Sequence, residues 1–486
     1  MISAQQKNQH LMWRAGFGPA AEQLEGLKTL SPSQLFKALQ QASAKRPPFI
    51  EAADDYLKGL VKGIQEEGMR QAASSDSRRN FQQQSKQAIK SLNLLWLDEM
   101  VHSKAQLREK MAFFWHGHFA SRNLNIFYQQ LMLDTIRQDA LGSFRDLLHG
   151  VSKSAAMLFF LNAQQNRKGR PNENFAREVM ELFTLGRGHY TEADVKEAAR
   201  AFTGWGANLE GEFQFKQMQH DTGVKTVLGK TGNLTGEDVL DILLAQKRTA
   251  QFITEKIYRF FVNEKTDKAK VDWLAGRFFS NDYSIAKLME DIFTADWFYD
   301  AKNIGAIIKS PIELFAGIRR MLPMEIENNE AQLLVQKLMG QTLFYPPNVA
   351  GWPGGKNWID SSTLLFRMRL PQLITDKDEL NLRPKVDDDQ QMGRMDAQTT
   401  PMAGGNKSAG SAGRFIRATL DWTAYQKNFA AIPREKVMEA IQATLLQVTP
   451  SFNTASLRPY TDETSREAFV RSFTLQVMST PEYQMC

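Results

Sequence analysis

Cysteine is nearly absent from this sequence, since the single one among 486 residues is Cys486. Internal disulfides and zinc sites built from several thiolates are therefore excluded. Long apolar runs are missing as well, because the longest, Ala155–Leu161, is far too short to cross a bilayer. The opening residues 1–9 lack the apolar stretch of a signal peptide. We therefore expect a soluble, cytoplasmic protein.

A strong charge of one sign is missing too. The net charge is only +6, and no run of Lys or Arg is long enough to form a nucleic-acid-binding arm. The sequence also lacks a phosphate loop, a dinucleotide-binding glycine fingerprint, a nucleophile elbow and the two-histidine helix of metalloproteases. These absences disfavour nucleic-acid binding, nucleotide-driven chemistry and serine hydrolase chemistry.

Helical periodicity dominates what is present. Apolar residues recur at spacings of three and four in most long segments, among them Leu107–Phe119 and Met132–Leu148. Helix starts are predicted by capping residues, which include Thr191, Thr235 and Ser310. Alternating patterns typical of strands are scarce, and two of them are expected to form one short β-hairpin: Glu212–Lys216 and Thr226–Gly229. The predicted fold class is mainly α, a multi-helical globular protein with at most that hairpin.

The length and composition predict three regions. A chain of 486 residues is too long for one ordinary core. We predict a main helical domain over residues 1–385. A polar, Gly- and Ser-rich stretch over 386–413 is expected to be a flexible insertion. Helical periodicity resumes over 414–486, and these C-terminal helices are expected to pack back on the main domain.

The segment Asn174–Thr184 is the most informative one. As a regular helix it would place five polar residues on one narrow arc: Asn174, Arg177, Glu178, Glu181 and Thr184. Apolar residues fill the rest of the circumference, so the helix is expected to be mostly buried, with its carboxylates facing a cleft. Buried carboxylates must be paired, protonated or metal-bound. Glu178 and Glu181 are therefore predicted as catalytic residues and Asn174 as a ligand-binding residue. The alternative interpretation is that Glu178 pairs with an arginine such as Arg177 and that Glu181 caps a neighbouring helix.

His116 and His118 flank Gly117. Residues two apart on a continuous helix point about 200° apart, so both imidazoles reach one ion only if the helix ends near Gly117. We predict both as metal ligands. The alternative is that they are buried imidazoles with structural hydrogen bonds.

A second polar motif is His220-Asp221, with Lys225 close behind it. A neighbouring His and Asp suit metal binding or a general base with its orienting partner, and Lys225 suits an anionic group. We predict His220 as a metal ligand and Asp221 as catalytic. Imidazoles combined with carboxylates favour zinc, iron or manganese as the ion.

The loop 348–358 contains three glycines together with Trp352 and Trp358. It is predicted to form the floor of a ligand pocket or to stack on sugars. The alternative is that both tryptophans simply fill a core. Arg14 is predicted as a bidentate partner for a buried carboxylate such as Glu178.

Several ordered motifs together resemble one known family. They are His10–Pro19, Phe113–Phe119, Asn172–Gly186, His189–Asp194, Thr203–Trp205, His220-Asp221 with Lys225, and Pro347–Gly355. In these the chain is similar to the bacterial domain of unknown function 1800 family, from about residue 8 to residue 370 and again near the C-terminus. The resemblance implies no activity, because none is established for the family. Its members are commonly encoded beside proteins resembling alkaline phosphatases and sulfatases, often exported by the twin-arginine route. The resemblance thus implies such a phosphatase- or sulfatase-like protein as a partner, and an envelope location for relatives that carry a leader.

Three hypotheses about function follow. The leading hypothesis is a metal-assisted enzyme, a hydrolase or an oxidoreductase. In it His116, His118 and His220, with Asp221 or Glu178, hold the ion, while Glu181 acts as base. The competing hypothesis is a non-enzymatic helical binding or assembly protein, whose polar cluster is a structural network. A third is carbohydrate binding through the two tryptophans.

Overall fold

The structure is a computed structural model that describes residues 2–70, 75–375 and 418–486. It is mainly α-helical, which confirms the predicted fold class. The chain forms two compact units. The predicted insertion over residues 386–413 lies outside the described residues.

The first unit comprises Met1–Gly18, Leu27–Ile307 and Leu343–Pro353. Its helices are α1 (Ala4–Arg14), α2 (Gly26–Thr29), α3 (Pro32–Ser43), α4 (Asp55–Arg70), α5 (Ser75–His102), α6 (Gln106–His118), α7 (Ile126–Asp139), α8 (Phe144–Lys153), α9 (Ala155–Phe160), α10 (Asn174–Glu178), α11 (Glu192–Ala201), α12 (Gly236–Leu244), α13 (Lys247–Phe261), α14 (Lys268–Ser280) and α15 (Ile285–Phe293). The first residue of α2, Gly26, is counted with the second unit. The predicted continuous period over 132–148 is therefore split between α7 and α8, because Ser143 caps a new helix after Gly142.

Local capping explains where several helices begin. Thr191, Thr235 and Ser310 are the N-caps of α11, α12 and a helix of the second unit, as predicted. In each case the hydroxyl accepts from the backbone N–H three residues on, and the acidic side chain there returns a bond to the cap. These reciprocal bonds satisfy N–H groups that have no partner within the helix.

All residues of helix α6 except Gly117 are buried. Its Glu109 carboxylate is inaccessible to solvent. The Arg137 guanidinium on α7 donates to it through Nε (3.0 Å) and Nη2 (3.0 Å), and the Trp96 indole on α5 donates at 3.1 Å. A buried charge requires such partners, so this cluster fixes three helices around one carboxylate.

Two hairpins replace the single one that was predicted. Strand β1 (Trp205–Ala207) pairs antiparallel with β2 (Phe213–Phe215), and β3 (Lys225–Val227) pairs with β4 (Lys230–Gly232). The predicted pairing of the segments 212–216 and 226–229 is therefore wrong. Leu228 and Gly229 both have positive φ and make a two-residue turn, so β3 pairs with the strand that directly follows it.

The second unit comprises Pro19–Gly26, Ile308–Thr342 and Gly354–Cys486. Its helices are α16 (Pro311–Met321), α17 (Asn329–Leu338), α18 (Ser361–Thr375), α19 (Thr423–Lys427), α20 (Val437–Leu445) and α21 (Arg466–Met478). Strand β5 (Met324–Ile326) pairs antiparallel with β6 (Ala418–Leu420). Helices α16 to α18, which the prediction placed in the main domain, thus belong to the same unit as the C-terminal helices.

The loop Leu343–Pro353 approaches the end of α6 closely within the first unit. Gly351 has φ +83°, and a Cβ atom there would lie 2.3 Å from the carbonyl oxygen of Gly117. Only glycine allows both this conformation and this approach. Gly351, one of the three glycines in the Pro347–Gly355 motif, therefore has a packing role.

We predict that Gly351→Ala destabilises the protein by about 2–4 kcal/mol, because left-handed strain and a backbone clash act together. Urea unfolding followed by circular dichroism measures the change. Gly117→Ala is the matched control: a Cβ there meets nothing within 4 Å, and alanine is the better helix former. Equal losses in the two variants would contradict this account of the contact.

Candidate functional site

The segment 174–184 is helical but not regular. Helix α10 ends at Glu178 and continues as a π-helix over Val179–Thr184. The Leu185 N–H donates to the Met180 carbonyl (2.9 Å), five residues back. The wider π turn changes the rotation between Glu178 and Glu181. The prediction that both lie on one narrow arc of a regular helix is therefore wrong. Such π segments are often found at functional sites.

Glu178 and Glu181 differ sharply in their surroundings. Within the part of the chain that the structure describes, the half-buried Glu178 carboxyl has no hydrogen-bond partner. Burial, reinforced by the charge of Glu181, raises its pKa, and Arg177 opposes that effect. Glu181 instead accepts from the Tyr190 hydroxyl (2.6 Å) and from Arg187 Nε (3.1 Å). The Tyr190 hydrogen bond is the largest cause of a lowered pKa at Glu181.

The arginines predicted to pair with Glu178 bond elsewhere. Arg177 donates to Glu192 (2.7 and 2.8 Å) and to Glu173 (3.0 Å), so it affects Glu178 only through its charge. Arg14 lies on α1 and donates to the Asn303 carbonyl (3.0 Å). The predicted Arg14–Glu178 pair is therefore not formed among the described residues, and neither is the Arg177 hydrogen bond of the alternative interpretation.

Three side chains from other elements bond to carbonyls at the end of the π-helix. Lys256 Nζ on α13 donates to the Leu182 carbonyl (3.1 Å), His118 Nε2 on α6 lies 3.3 Å from the Phe183 oxygen, and Arg248 Nε donates to the Leu185 oxygen (3.0 Å). The last carbonyls of a helix lack partners of their own, and cations are favoured there. These contacts stabilise the segment that carries Glu178 and Glu181.

His118 is bonded through both ring nitrogens. Since Nε2 faces a carbonyl, it carries the proton, and Nδ1 accepts from Lys256 Nζ (3.2 Å). Burial and the Lys256 charge hold the pKa of His118 well below its usual value. Burial also lowers the pKa of Lys256 to about 8.

His116 occupies a different environment, because α6 runs through Gly117 and ends only at His118. Its ring stacks on Trp352 (centroids 5.4 Å apart) and contacts Trp96 and Phe344. Burial lowers the pKa of His116 to about 3. The two imidazoles of the motif thus contact different side chains, as the 200° separation on a continuous helix requires.

The His220 motif forms a third, separate environment. His220 Nδ1 lies 2.9 Å from the Thr203 carbonyl, which leaves Nε2 as the unprotonated nitrogen. Asp221 accepts from Arg200 Nε (2.8 Å), and this contact holds its pKa at about 2. Lys225 Nζ donates to the Gly223 carbonyl (3.0 Å). Thr203, rather than Asp221, therefore orients the His220 ring.

The remaining predicted residues have structural contacts. Asn174 Nδ2 donates to the Leu161 carbonyl (3.1 Å). Trp352 belongs to the first unit and covers His116, whereas Trp358 is buried in the second unit.

The described residues contain no group of three or more His, Cys, Asp or Glu side chains placed to hold a metal ion. The structure does not bring His116, His118 and His220 together with Glu178 or Asp221. A zinc, iron or manganese ion stays a prediction.

Sequence analysis missed Tyr190, Lys256 and Arg248. Tyr190 carries a local signal, since it follows Glu181 by nine residues across two left-handed glycines, Gly186 and Gly188, that turn the chain back. Lys256 carries none, because it reaches Leu182 from 74 residues away.

A family model described as protein of unknown function DUF1800 matches residues 10–485, nearly the whole chain. The chain belongs to the DUF1800 family. No curated protein and no solved structure shows significant similarity to this family member. Among the described residues, no helix is both long and apolar enough to cross a membrane. Because the family description assigns no function, a function for this DUF1800 protein has to be argued from its site.

Lys256→Met is expected to destabilise the protein by about 1–3 kcal/mol, since it leaves the Leu182 carbonyl and His118 Nδ1 without a donor. The control is Lys247→Met, at an exposed lysine on the same helix that has no ion pair with any described residue. Urea unfolding of both variants measures the difference.

The pH dependence supplies a second measurement. The folded-state pKa of Lys256, about 8, lies below its unfolded value, so the unfolded chain binds the extra proton above pH 8. Between about pH 8 and 10, the stability of the wild type should therefore rise relative to Lys256→Met. A difference that stays constant across this range would contradict the burial of the ammonium group.

Proposed function

We propose that this DUF1800 protein is a hydrolase that transfers protons through Glu178 and Glu181. One observation carries the proposal: a half-buried carboxyl without a hydrogen bond among the described residues lies three residues before a carboxylate that Tyr190 and Arg187 hold in its charged form. Carboxyls whose environments push their pKa values apart are a recurring arrangement for acid and base catalysis.

The chemistry follows from the two protonation states. Glu178, with the raised pKa, is the group that donates a proton to a leaving group. Glu181, with the lowered pKa, stays ionised and takes a proton from the attacking water. Water is thereby added across the cleaved bond. Hydrolysis is favoured over a redox reaction because proton transfer is the chemistry that two carboxyls supply by themselves.

The rigidity of the segment supports the same assignment. Catalytic side chains need supporting contacts that fix their positions. Lys256, His118 and Arg248, from two other helices, bond to three carbonyls within residues 182–185, just after Glu181.

A panel of nitrophenyl esters, phosphates and glycosides tests the proposal. Glu178→Gln has the same shape but cannot donate the proton, and it should lower the rate on the best substrate by about 10²–10⁴-fold. Glu290→Gln, at an exposed glutamate on α15, is the matched control and should leave the rate unchanged.

Tyr190→Phe separates catalysis from folding. Loss of the Tyr190 hydrogen bond raises the pKa of Glu181, so the acidic limb of the pH–rate profile should move to higher pH. A wild type that hydrolyses none of the three substrate classes, or a Glu178→Gln variant with full activity, would contradict the proposal.

An assembly protein is the second candidate, and a different observation favours it. His118, Asp221 and Lys225 all bond to groups within the chain, as members of a structural network do. In that case Glu178→Gln leaves binding intact, and co-purification with a phosphatase- or sulfatase-like protein is the expected result. Sugar binding by Trp352 and Trp358 stays a prediction.

A further inference from the structure

Two exposed turns of the first unit lie side by side. The first spans residues 167–170, closed by a bond from the Arg170 N–H to the Arg167 carbonyl (2.9 Å). The second is a single 3₁₀ turn, Gln217–Gln219, that follows strand β2. The Lys168 N–H donates to the Gln219 carbonyl (2.8 Å), so the backbones of the two turns are in direct contact.

The backbone of Gly204 forms hydrogen bonds to the residues that precede both turns. Its N–H donates to the Asn166 carbonyl (3.1 Å), just before the first turn. Its own carbonyl accepts from the Lys216 N–H (2.7 Å), just before the second. Gly204 has φ +85°, and a Cβ there would lie 2.7 Å from the Lys216 oxygen. The relative position of the two turns is therefore fixed by backbone hydrogen bonds rather than by side chains.

Apolar side chains are exposed on the second turn and on the end of strand β2 that precedes it. Met218 is 94% exposed and Phe215 is 48% exposed. Met218 thus extends from the surface almost as freely as in an unfolded chain, so its apolar surface is available for burial against another surface. Exposed apolar groups that cluster in this way mark contact with another surface.

Uncompensated positive charges surround these side chains. Four exposed cations have no ion pair among the described residues: Arg167, Lys168, Arg170 and Lys216. Arg177 and Arg200 on the adjoining helices, by contrast, each bind two carboxylates. The positive charge of the two turns is therefore available to an external anion.

We propose that these two turns bind the surface of a membrane rich in anionic lipids. Met218 and Phe215 enter the headgroup region, while the four cations contact lipid phosphates. A projecting methionine suits a lipid surface, which admits it anywhere, whereas a protein partner must offer a pocket of matching shape. Clustered Lys and Arg beside inserted apolar groups are the combination that anionic membranes attract.

Co-sedimentation of the full chain with vesicles tests the proposal. Vesicles that contain phosphatidylglycerol should bind the protein, pure phosphatidylcholine vesicles should not, and added salt should weaken binding. The variant Lys168→Glu/Arg170→Glu should bind at least about tenfold more weakly, because each cation near the surface contributes to attraction. Met218→Ser should weaken binding at high salt, where the apolar contact dominates.

Two controls match these variants. Lys247→Glu reverses an exposed charge on α13, and Trp273→Ser removes an exposed apolar group on α14. Neither should change vesicle binding. Equal binding to both kinds of vesicle, no binding to either, or controls as damaging as the test variants would overturn the proposal. Binding to soluble poly-glutamate but not to anionic vesicles would also overturn it, in favour of an acidic protein partner.

Discussion

The buried carboxylate of Glu109 is the constraint on which the first unit depends. Removing one member of a buried ion pair costs about 3–5 kcal/mol, because the other is left charged without a partner. Glu109 can exist in the core only when α5 brings Trp96 and α7 brings Arg137 to it. This requirement fixes α6, and α6 in turn positions His116 beneath Trp352 and His118 beneath the π-helix.

The same principle operates at the candidate site. The π-helix ends in carbonyls that its own backbone does not satisfy, and Lys256, His118 and Arg248 supply the missing donors. Histidines that resemble metal ligands in the sequence thus bond to a backbone oxygen or pack against aromatic rings. Glu178 differs from Glu181 in this segment, because its half-buried carboxyl has no hydrogen bond among the described residues, and a carboxyl with a pKa raised by burial is a candidate for proton transfer.

Sequence periodicity predicted the helical fold and the N-caps at Thr191, Thr235 and Ser310, because these depend on nearby residues. One prediction from periodicity, the regular helix over residues 174–184, failed because distant residues affect that segment. The change from α- to π-helix at Val179 accompanies contacts from α6 and α13, which no local pattern reveals. The hairpin error had a local cause, the Leu228-Gly229 turn, because leucine is not expected at positive φ. Glu178 and Glu181 were predicted as catalytic residues from their positions. The opposite directions of their pKa shifts depend in part on Tyr190, which sequence analysis missed.

The central claim is that Glu178 and Glu181, three residues apart, hold protons with different strength. Carbon-13 NMR of protein labelled at the glutamate side-chain carboxyls tests it directly, with the two signals assigned from Glu178→Gln and Glu181→Gln. The account predicts that Glu178 titrates at a pH above its ordinary pKa and that Glu181 titrates below its own. Titration of both carboxyls together, or of Glu178 at the lower pH, would contradict it.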